Sequence, residues 1–383
     1  MPSDRPDLII LGGGLAGGLI AMALAARRPE LEVTIVEAGE TLGGNHVWSF
    51  FDSDIALSDR ALVEPLIVHR WPAYDVRFPA HSRTIDQPYN SIESEHFDRV
   101  VRAALPADAI IRATITQSTD TSVTLEGGRN LDAKAVIDTR GAGDLGALRC
   151  GWQKFVGQTL HLASPHGLTR PVVMDARVDQ SEGYRFVYLL PFSPNEIFVE
   201  DTYYSDTPVL DIEKLRLRIA DYAVEQGWII TRTSRAETGV LPVVMSGHFD
   251  SYWPSSDAVA RGGVRAGLFQ PLTSYSLPDA LRFASWIASL PELTGPALAK
   301  ASRDYARRQW RRNAYYRMLG LMLFRAADPP QRYRILERFY RLSPALIGRF
   351  YAGRSTLGDK VRILSGRPPV PLGRAFRALA ERK

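Results

Sequence analysis

Two adjacent carboxylates, Glu200 and Asp201, lie in the run EIFVEDTYYS (residues 196–205), whose other residues are mostly β-branched or aromatic. Such residues favour a pleated, half-buried strand, and acidic residues are depleted there. Because side chains alternate along a strand, Glu200 is predicted to share a face with Phe198, while Asp201 points to the other face. One carboxyl group can therefore enter an apolar pocket, where burial would raise its pKa. A solvated arm of a hairpin is the alternative that this strand alone leaves open.

A second pattern with chemical meaning lies near the start of the chain, where GxGxxG is followed 20 residues later by a glutamate. The first glycine allows a tight turn, the second lets the backbone approach a pyrophosphate, and the third lets helix and strand pack closely. The N-terminus of the following helix offers N–H groups to phosphates, and the glutamate can accept from ribose hydroxyls. The pattern predicts dinucleotide binding. The residues concerned are Gly12, Gly14, Leu15, Ala16, Gly17 and Glu37.

The sequence after Glu37 indicates which dinucleotide is bound. A glycine pair, Gly43-Gly44, follows at the distance found in FAD-binding proteins of the glutathione-reductase type, which the chain resembles. Two later stretches support this resemblance, VIDTRGAG (residues 136–143) and the turn-rich RAGLFQPLTSYSLPDAL (residues 265–281). In flavoproteins of this type the later stretch brings backbone N–H groups to the pyrophosphate and the flavin ring. The resemblance implies FAD, with further contacts at Gly44, Arg140, Gly267, Gln270 and Ser274.

The predicted elements determine where these residues lie. Residues 7–11, 15–28 and 31–37 are predicted as strand, helix and strand, a βαβ unit that implies a parallel sheet. Residues 171–204 are predicted as antiparallel strands with a hairpin turn at 193–195, and the chain from residue 279 onward is predicted to be mostly helical.

The predicted fold class is α/β, with three parts, two of which are built from separate segments of the chain. They are a glutathione-reductase-type, Rossmann-like FAD-binding domain (residues 1–50, 92–150 and 238–290), an antiparallel-sheet substrate domain (51–91 and 151–237), and a helical, basic C-terminal region (291–383).

Composition limits the class of protein. The 383 residues are 45% hydrophobic and 23% charged, as in ordinary globular proteins. A single cysteine, Cys150, excludes an internal disulfide and fits a reducing compartment. The first residues lack the cationic and apolar regions of a signal peptide, and no apolar run approaches the length of a membrane-spanning helix. No metal site is predicted.

At this point the chain is similar over nearly its whole length to a known family, the bacterial lycopene β-cyclases. The segments that carry the resemblance occur in the family's order; they are DLIILGGGLAGGLIA, LGGNHVWSFF, VIDTRG, WQKFVGQ, YLLPFS, FVEDTYYS, ETGVLPV and GLFQPLTSYSLP. The combination of FVEDTYYS with GGNHVWSF is specific to the family. Gln270 and Ser274 depart from the family's usual histidine and glycine, and this argues against an essential proton transfer at residue 270.

The resemblance implies a redox-neutral cyclisation of the linear ψ ends of lycopene to β rings, giving γ-carotene and β-carotene. An acid protonates the terminal double bond, a second double bond attacks the cation, and a proton is lost. The family's acidic strand motif places the acid at Glu200. The resemblance also implies that reduced FAD stabilises the cation and that NADPH keeps the flavin reduced.

Other residues are weaker candidates for contact with substrate or cation. His46, Trp48, Tyr188, Phe198 and Glu237 belong to this group, although aromatic residues in strands are more often core and lone histidines more often structural. Glu237 is expected to position backbone. Two other functions stay open: an FAD-dependent monooxygenase or dehydrogenase acting on a hydrophobic isoprenoid, and a non-enzymatic nucleotide-binding protein associated with membranes.

A basic segment suggests a partner. Residues 301–340 hold ten arginines against three carboxylates, a net charge of +7, whereas the whole chain carries +5. Arginines 307, 308, 311, 312 and 317 lie beside Trp310, Tyr315 and Tyr316, a composition that suits an anionic lipid surface. A docked helix with a solvated face is the alternative. The resemblance implies a peripheral enzyme on the cytoplasmic side of the membrane, and no motif for nucleic-acid binding accompanies the charge.

Overall fold

The computed structural model describes residues 5–366 and 372–380. Within these ranges the strands are β1 (Leu8–Leu11), β2 (Val33–Glu37), β3 (Val47–Phe51), β4 (His69–Trp71), β5 (Tyr74–Phe78), β6 (His81–Ile85), β7 (Tyr89–Glu93), β8 (Ile110–Arg112), β9 (Ile115–Ser118), β10 (Ser122–Leu125), β11 (Asn130–Asp132), β12 (Ala135–Asp138), β13 (Leu148–Leu162), β14 (Val172–Asp175), β15 (Arg185–Ser193), β16 (Glu196–Ser205), β17 (Ile230–Gly247) and β18 (Ala260–Arg261).

The α-helices of the same ranges are α1 (Leu15–Arg27), α2 (Arg60–Val63), α3 (Ser94–Ala104), α4 (Ile212–Glu225), α5 (Phe249–Tyr252), α6 (Leu277–Ala288), α7 (Gly295–Arg312), α8 (Ala314–Arg325), α9 (Tyr333–Phe339), α10 (Pro344–Tyr351), α11 (Leu357–Leu364) and α12 (Leu372–Ala380). No helix among the described residues is long and apolar enough to cross a membrane.

A five-stranded parallel sheet forms the first layer, in the order β18-β12-β1-β2-β8. The predicted βαβ unit is confirmed: β1, α1 and β2 all begin and end within two residues of the predicted bounds. The residues of β1 are all buried, as expected for a central strand of a parallel sheet with both faces covered. This sheet places the GxGxxG turn at the carboxyl end of β1, where ligands of open α/β sheets bind.

A seven-stranded sheet forms the second layer, in the order β17-β13-β16-β15-β14-β5-β6, and only the β14–β5 pair is parallel. Its two faces are covered differently. Val199 belongs to a cluster with α4 on one face, whereas Phe198 belongs to a cluster with the C-terminal helices on the other. The predicted alternation of side chains along residues 196–205 is therefore confirmed.

Two smaller sheets, β3-β7-β4 and β11-β10-β9, complete the architecture. β3 crosses the predicted division after residue 50, β7 crosses the one after residue 91, and these two strands pair with each other. β17 crosses the predicted division after residue 237. The division of the chain into three parts stays a prediction.

The region from α6 onward is helical, as predicted, and several of its prolines lie between helices or at their first residues. Pro291 lies between α6 and α7, Pro329 begins a short 3-10 segment, and Pro344 is the first residue of α10, a position where its missing N–H is not needed. Tyr316, expected among lipid-facing aromatics, is instead buried, and Arg317 stacks on Trp310 at 3.7 Å from the ring centroid. Much of this basic segment is therefore packed against the protein.

Candidate active site

A cavity of about 750 Å³ runs from the GxGxxG turn to the seven-stranded sheet. It brings together most of the predicted site residues. Those that line it are Gly12, Gly14, Leu15, Ala16, Glu37, Gly44, His46, Trp48, Arg140, Tyr188, Glu200, Glu237 and Ser274. Four others, Gly17, Gly267, Gln270 and Phe198, are not among the lining residues.

The glycines of the turn have the geometry that a bound pyrophosphate requires. Gly12 has a φ of +90°, a conformation that side chains strongly disfavour. A Cβ atom on Gly17 would lie 2.1 Å from the carbonyl oxygen of Gly12, so only glycine allows the helix to pack this closely. A Cβ on Gly14 would meet nothing within 4 Å. The space beside Gly14 is open to the cavity, as it must be if phosphates are to reach the N-terminus of α1.

Glu37, at the end of β2, is held in place by the backbone. The N–H of Gly13 donates to Oε2 at 2.6 Å, and the N–H of Gly39 donates to Oε1 at 2.8 Å. A carboxylate has about four lone-pair sites, so each oxygen retains acceptor capacity toward the cavity. The side chain is thus fixed where it can accept hydrogen bonds from ribose hydroxyls.

Arg140 is fixed by Asp138 at the end of β12. Its Nε donates to Oδ1 of Asp138 at 2.9 Å and its NH2 to Oδ2 at 2.8 Å, while Arg265 donates to the same carboxylate at 3.0 Å. Burial opposes ionisation of Asp138, but the two guanidinium groups hold the pKa of Asp138 below its usual value. Arg140, predicted as a further FAD contact, therefore lies at the cavity in a fixed position.

Ser274 has an unusual backbone conformation. It is the one residue other than glycine with a positive φ (+58°) in the part of the chain that the structure describes, which fits the glycine that the lycopene cyclases usually have here. Its hydroxyl donates to the carbonyl oxygen of Pro242 at 2.9 Å. Gln270 is not among the residues that line the cavity, and its Oε1 accepts from the N–H groups of Leu272 and Thr273 at 2.6 and 3.0 Å. These hydrogen bonds stabilise the loop to which Gln270 itself belongs.

Glu200 belongs to a row of residues that crosses four adjacent strands on one face of the sheet. Glu237, Gly157, Glu200 and Tyr188 are direct neighbours in this row, from β17 through β13 and β16 to β15. Burial raises the pKa of Glu200 to about 7. The hydroxyl of Thr202 donates to its Oε1 at 2.5 Å and opposes this rise, whereas the charge of Asp201 adds to it. The carboxyl group can thus hold a proton near neutral pH.

Asp201 lies on the opposite face of the same strand. Its side chain is fully buried, and Arg185 donates to it from Nε at 2.8 Å and from NH2 at 2.5 Å. The position agrees with the expectation that Asp201 faces away from the pocket. Its contacts are those of a structural ion pair.

Glu237 is a second buried carboxyl group of the cavity. The N–H of Val47 donates to its Oε2 at 2.9 Å, which agrees with the expectation that Glu237 positions backbone. The same oxygen lies 3.8 Å from Nδ1 of His46. Burial and then the charge of Glu200 raise the pKa of Glu237 to about 8. Because Glu237 also lines the cavity, its carboxyl group can act there as well as hold the backbone of Val47.

Aromatic side chains form much of the remaining wall, and most of them had not been predicted. Tyr188 and Trp48 were candidates, but Phe155, Phe186, Tyr204, Tyr275 and Tyr351 also line the cavity. Their positions in the sequence are far apart and share no period, so the chain offers no signal that would group them. Aromatic faces can stabilise a nearby cation.

The fold is that of known flavin-dependent enzymes. A solved geranylgeranyl bacteriochlorophyll reductase-like protein from Thermoplasma acidophilum matches with a TM-score of 0.63 at 12% identity, covering 99% of each chain. A flavin-dependent brominase matches with a TM-score of 0.60 at 13% identity, covering 98% of each chain. These likenesses confirm the predicted fold class, in which a glutathione-reductase-type domain is combined with an antiparallel sheet and C-terminal helices.

Within that class the chain belongs to the lycopene cyclase family, whose model, described as "Lycopene cyclase protein", matches residues 7–377. The lycopene beta-cyclase of Pseudescherichia vulneris is 45% identical over 97% of this chain and 96% of its own length. That of Pantoea ananas is 43% identical over 97% of each chain. The resemblance inferred from the sequence motifs is confirmed.

Proposed function

We propose that this protein is a lycopene β-cyclase, an isomerase that closes the linear ends of lycopene to β rings without net oxidation. The observation that carries the proposal is the environment of Glu200, a carboxyl group with a pKa of about 7 in an aromatic-lined cavity of a lycopene cyclase family member. Curated relatives with this name align over nearly the whole chain.

In the proposed mechanism Glu200 donates its proton to the terminal double bond of a ψ end. The resulting tertiary cation is attacked by a nearby double bond of the same chain, which forms the ring, and the second cation loses a proton. One proton is gained and one is lost, so the product has the mass of the substrate. The aromatic wall stabilises the cations and keeps out water that would trap them. γ-Carotene is the product after one ring and β-carotene after two.

We also propose FAD as the cofactor, because the glycine turn, the carboxylate of Glu37 and the fixed Arg140 fit a dinucleotide. Gly12, Gly14 and the N-terminus of α1 would hold the pyrophosphate, and Glu37 a ribose. When bound in its reduced form, the flavin would supply negative charge beside the cation. NADPH is the proposed reductant. The roles of Gly17, Gly44, Gly267, Gln270 and Ser274 in this site remain predictions.

The open space at Gly14 gives a direct test of cofactor binding. Gly14→Val would place a side chain in the proposed pyrophosphate position without a clash inside the protein, since nothing lies within 4 Å of a Cβ there. The variant should fold and lose FAD. A wild-type protein that is colourless and cannot be reconstituted with FAD would contradict the cofactor proposal.

Contact with an anionic lipid surface is proposed at the α7–α11 region, on the cytoplasmic side. α11 exposes Leu357, Val361 and Leu364, with 80%, 67% and 47% of their surface accessible. Arg308, Arg311 and Arg312 are exposed near the end of α7. Tyr315, in the first turn of the following helix α8, donates to the carbonyl oxygen of Lys360 in α11 at 3.2 Å. Exposed apolar residues beside basic residues suit a peripheral position on a membrane.

Extraction of carotenoids from lycopene-producing cells that express this chain tests the central proposal. The cells should accumulate γ-carotene and β-carotene, which have the mass of lycopene. A product that has gained oxygen would indicate a monooxygenase, and one that has lost hydrogen a dehydrogenase. Unchanged lycopene in the presence of folded, FAD-loaded protein would contradict all three enzymatic functions.

A further inference from the structure

We propose that Glu237 and His46 form the route by which protons pass between the cavity and solvent, so that Glu200 exchanges its proton with water between ring closures. The inference rests on the proposed cyclisation and adds a role for a second carboxyl group. It follows from where the two side chains lie relative to Glu200 and to the surface.

Glu237 faces the same cavity as Glu200 from two strands away. Gly157 separates them in the row across the sheet, and a Cβ on Gly157 would lie 2.3 Å from Cζ of Phe198. The Phe198 ring therefore occupies the space over the glycine that separates Glu237 from Glu200 in the row. Both carboxyl groups line the same cavity, so a proton can pass between them across it.

His46 connects Glu237 with the outside. The side chain of Glu237 is only 3% exposed, whereas that of His46 is 47% exposed, and Oε2 and Nδ1 are 3.8 Å apart. This distance exceeds a direct hydrogen bond, and one bridging water or a small rotation of the imidazole completes the connection. The N–H of Val47 anchors Oε2 beside the imidazole. A buried acid next to an accessible imidazole is an arrangement that can move protons across a wall.

The charges around the pair favour a neutral imidazole. Partial removal of the half-exposed imidazole from solvent, and then the nearby guanidinium of Arg235, lower the pKa of His46. Arg235 also donates to the carbonyl oxygen of His46 at 3.2 Å and pairs with Glu93 at 3.4 Å and with Glu95. A neutral imidazole can accept a proton from Glu237 and release it to water. The reverse path returns a proton to the cavity.

The proton balance of ring closure shows what such a route would do. Each closure places the proton of Glu200 on the inner carbon of the terminal double bond, which leaves the tertiary cation on the outer carbon, and later releases one proton from a ring carbon. Were the released proton always recaptured by Glu200, solvent hydrogen would enter the product only in the first turnover. A route through Glu237 and His46 lets every released proton leave and lets a solvent proton replace it.

Multiple turnovers in D₂O with unlabelled lycopene test the inference. The wild-type product should contain one deuteron per new ring, and Glu237→Gln should lose deuterium from the product because recapture competes with slower exchange. His46→Gln should also lower the deuterium content of the product. A lower rate of cyclisation from a displaced β3 strand would leave more time for exchange and would raise the deuterium content, which is opposite to the loss expected here.

Glu93→Gln is the matched control. Glu93 forms another Glu–His pair nearby, with Nε2 of His69 at 2.7 Å, and also contacts Arg235, but it does not line the cavity. Its product should be labelled like that of the wild type. Should Glu237→Gln fold too poorly for assay, His46→Gly gives the same readout, and added imidazole should restore the label.

Two outcomes would overturn the inference while leaving the proposed function intact. One is a wild-type product with β rings but little deuterium beyond the first turnover. The other is full labelling in Glu237→Gln and in His46→Gly without imidazole. Failure of the wild type to form β rings at all would instead contradict the proposed cyclisation.

Discussion

At the scale of single residues, Glu200 and Asp201 show how two consecutive carboxylates acquire different chemistry. Strand alternation sends them to opposite faces, and their partners then differ. Burial raises the pKa of both carboxyl groups. Only a hydroxyl, that of Thr202, opposes the rise at Glu200, whereas the guanidinium of Arg185 opposes it at Asp201 through hydrogen bonds and charge. The first suits proton donation and the second suits structure.

Thr202 is predicted to set the pH range of activity. Its hydroxyl bond to Glu200 lowers the pKa of that carboxyl group, which burial raises to about 7. An acid must be protonated to act, so activity should fall as pH rises through this value. Thr202→Val removes the donor and should raise the pKa of Glu200, so that the alkaline limb of kcat against pH moves to higher pH.

Thr202→Ser keeps the hydroxyl and is the matched control, which should leave the alkaline limb where the wild type has it. A profile that does not move in Thr202→Val, or that moves equally in both variants, would indicate that another group controls the alkaline limb.

Asp201→Asn is predicted to act on folding rather than on the chemical step. The substitution leaves the guanidinium of Arg185 without its buried counterion, which typically costs about 3–5 kcal/mol of unfolding free energy. Urea unfolding should show the loss. Cyclisation per folded molecule, measured under stabilising conditions, should stay close to that of the wild type. A stable but inactive Asp201→Asn would instead place this carboxylate in the reaction.

At the scale of elements, β13 holds the site together because it lies between the two strands that carry the carboxyl groups. Gly157 leaves room for the ring of Phe198 at this point. Gly157→Ala would force the ring to move, and such overpacking usually costs about 1–3 kcal/mol. We expect a lower midpoint of urea unfolding and reduced cyclisation.

Phe198→Leu in the same chain should recover part of that stability, because the smaller side chain gives space to the new methyl group. A double-mutant cycle on unfolding free energies measures this coupling. Additive effects would mean that the ring and the glycine do not compete for the same space.

Sequence patterns predicted the individual strands and helices better than they predicted which residues become neighbours across a sheet. The βαβ unit and the alternation around Glu200 follow from local patterns, and both are present. The approach of Glu237 to Glu200 depends on the register of β13 with β16 and β17, which no local pattern encodes. The contact of Gln270 with the cofactor stays a prediction; in the structure its Oε1 accepts from the N–H groups of its own loop.

At the scale of the whole molecule, the cavity lies between the parallel sheet and the seven-stranded sheet, so each layer contributes one half of the proposed chemistry. Some arginines of the basic segment (residues 301–340) form ion pairs within the protein or are buried. Arg303 and Arg307 both pair with Asp250, and Arg332 is only 2% exposed. Arg308, Arg311 and Arg312 are exposed near the end of α7, and Tyr315 at the start of α8 donates to the carbonyl oxygen of Lys360 in α11.

Membrane binding is predicted to depend on the exposed apolar side chains of α11. The double substitution Leu357→Gln and Val361→Gln should lower the fraction of protein that floats with anionic liposomes. Added salt should lower it further, because charge attraction is screened over about 8 Å at physiological ionic strength.

Leu217→Gln with Val224→Gln is the matched control, since these α4 residues are 66% and 75% exposed but lie on the other side of the seven-stranded sheet. Equal effects of the two pairs, or binding that ignores both salt and substitution, would contradict a specific surface at α11.

The most direct test of the account is conversion of lycopene by Glu200→Gln under anaerobic, NADPH-reduced conditions. The substitution keeps the shape of the side chain and can accept the hydrogen bond from Thr202, but it has no proton to donate. The variant should fold, bind FAD and lose cyclisation by at least the roughly 10²–10⁴-fold typical of a removed general acid. A Glu200→Gln protein that forms β rings at the wild-type rate would show that another group starts ring closure.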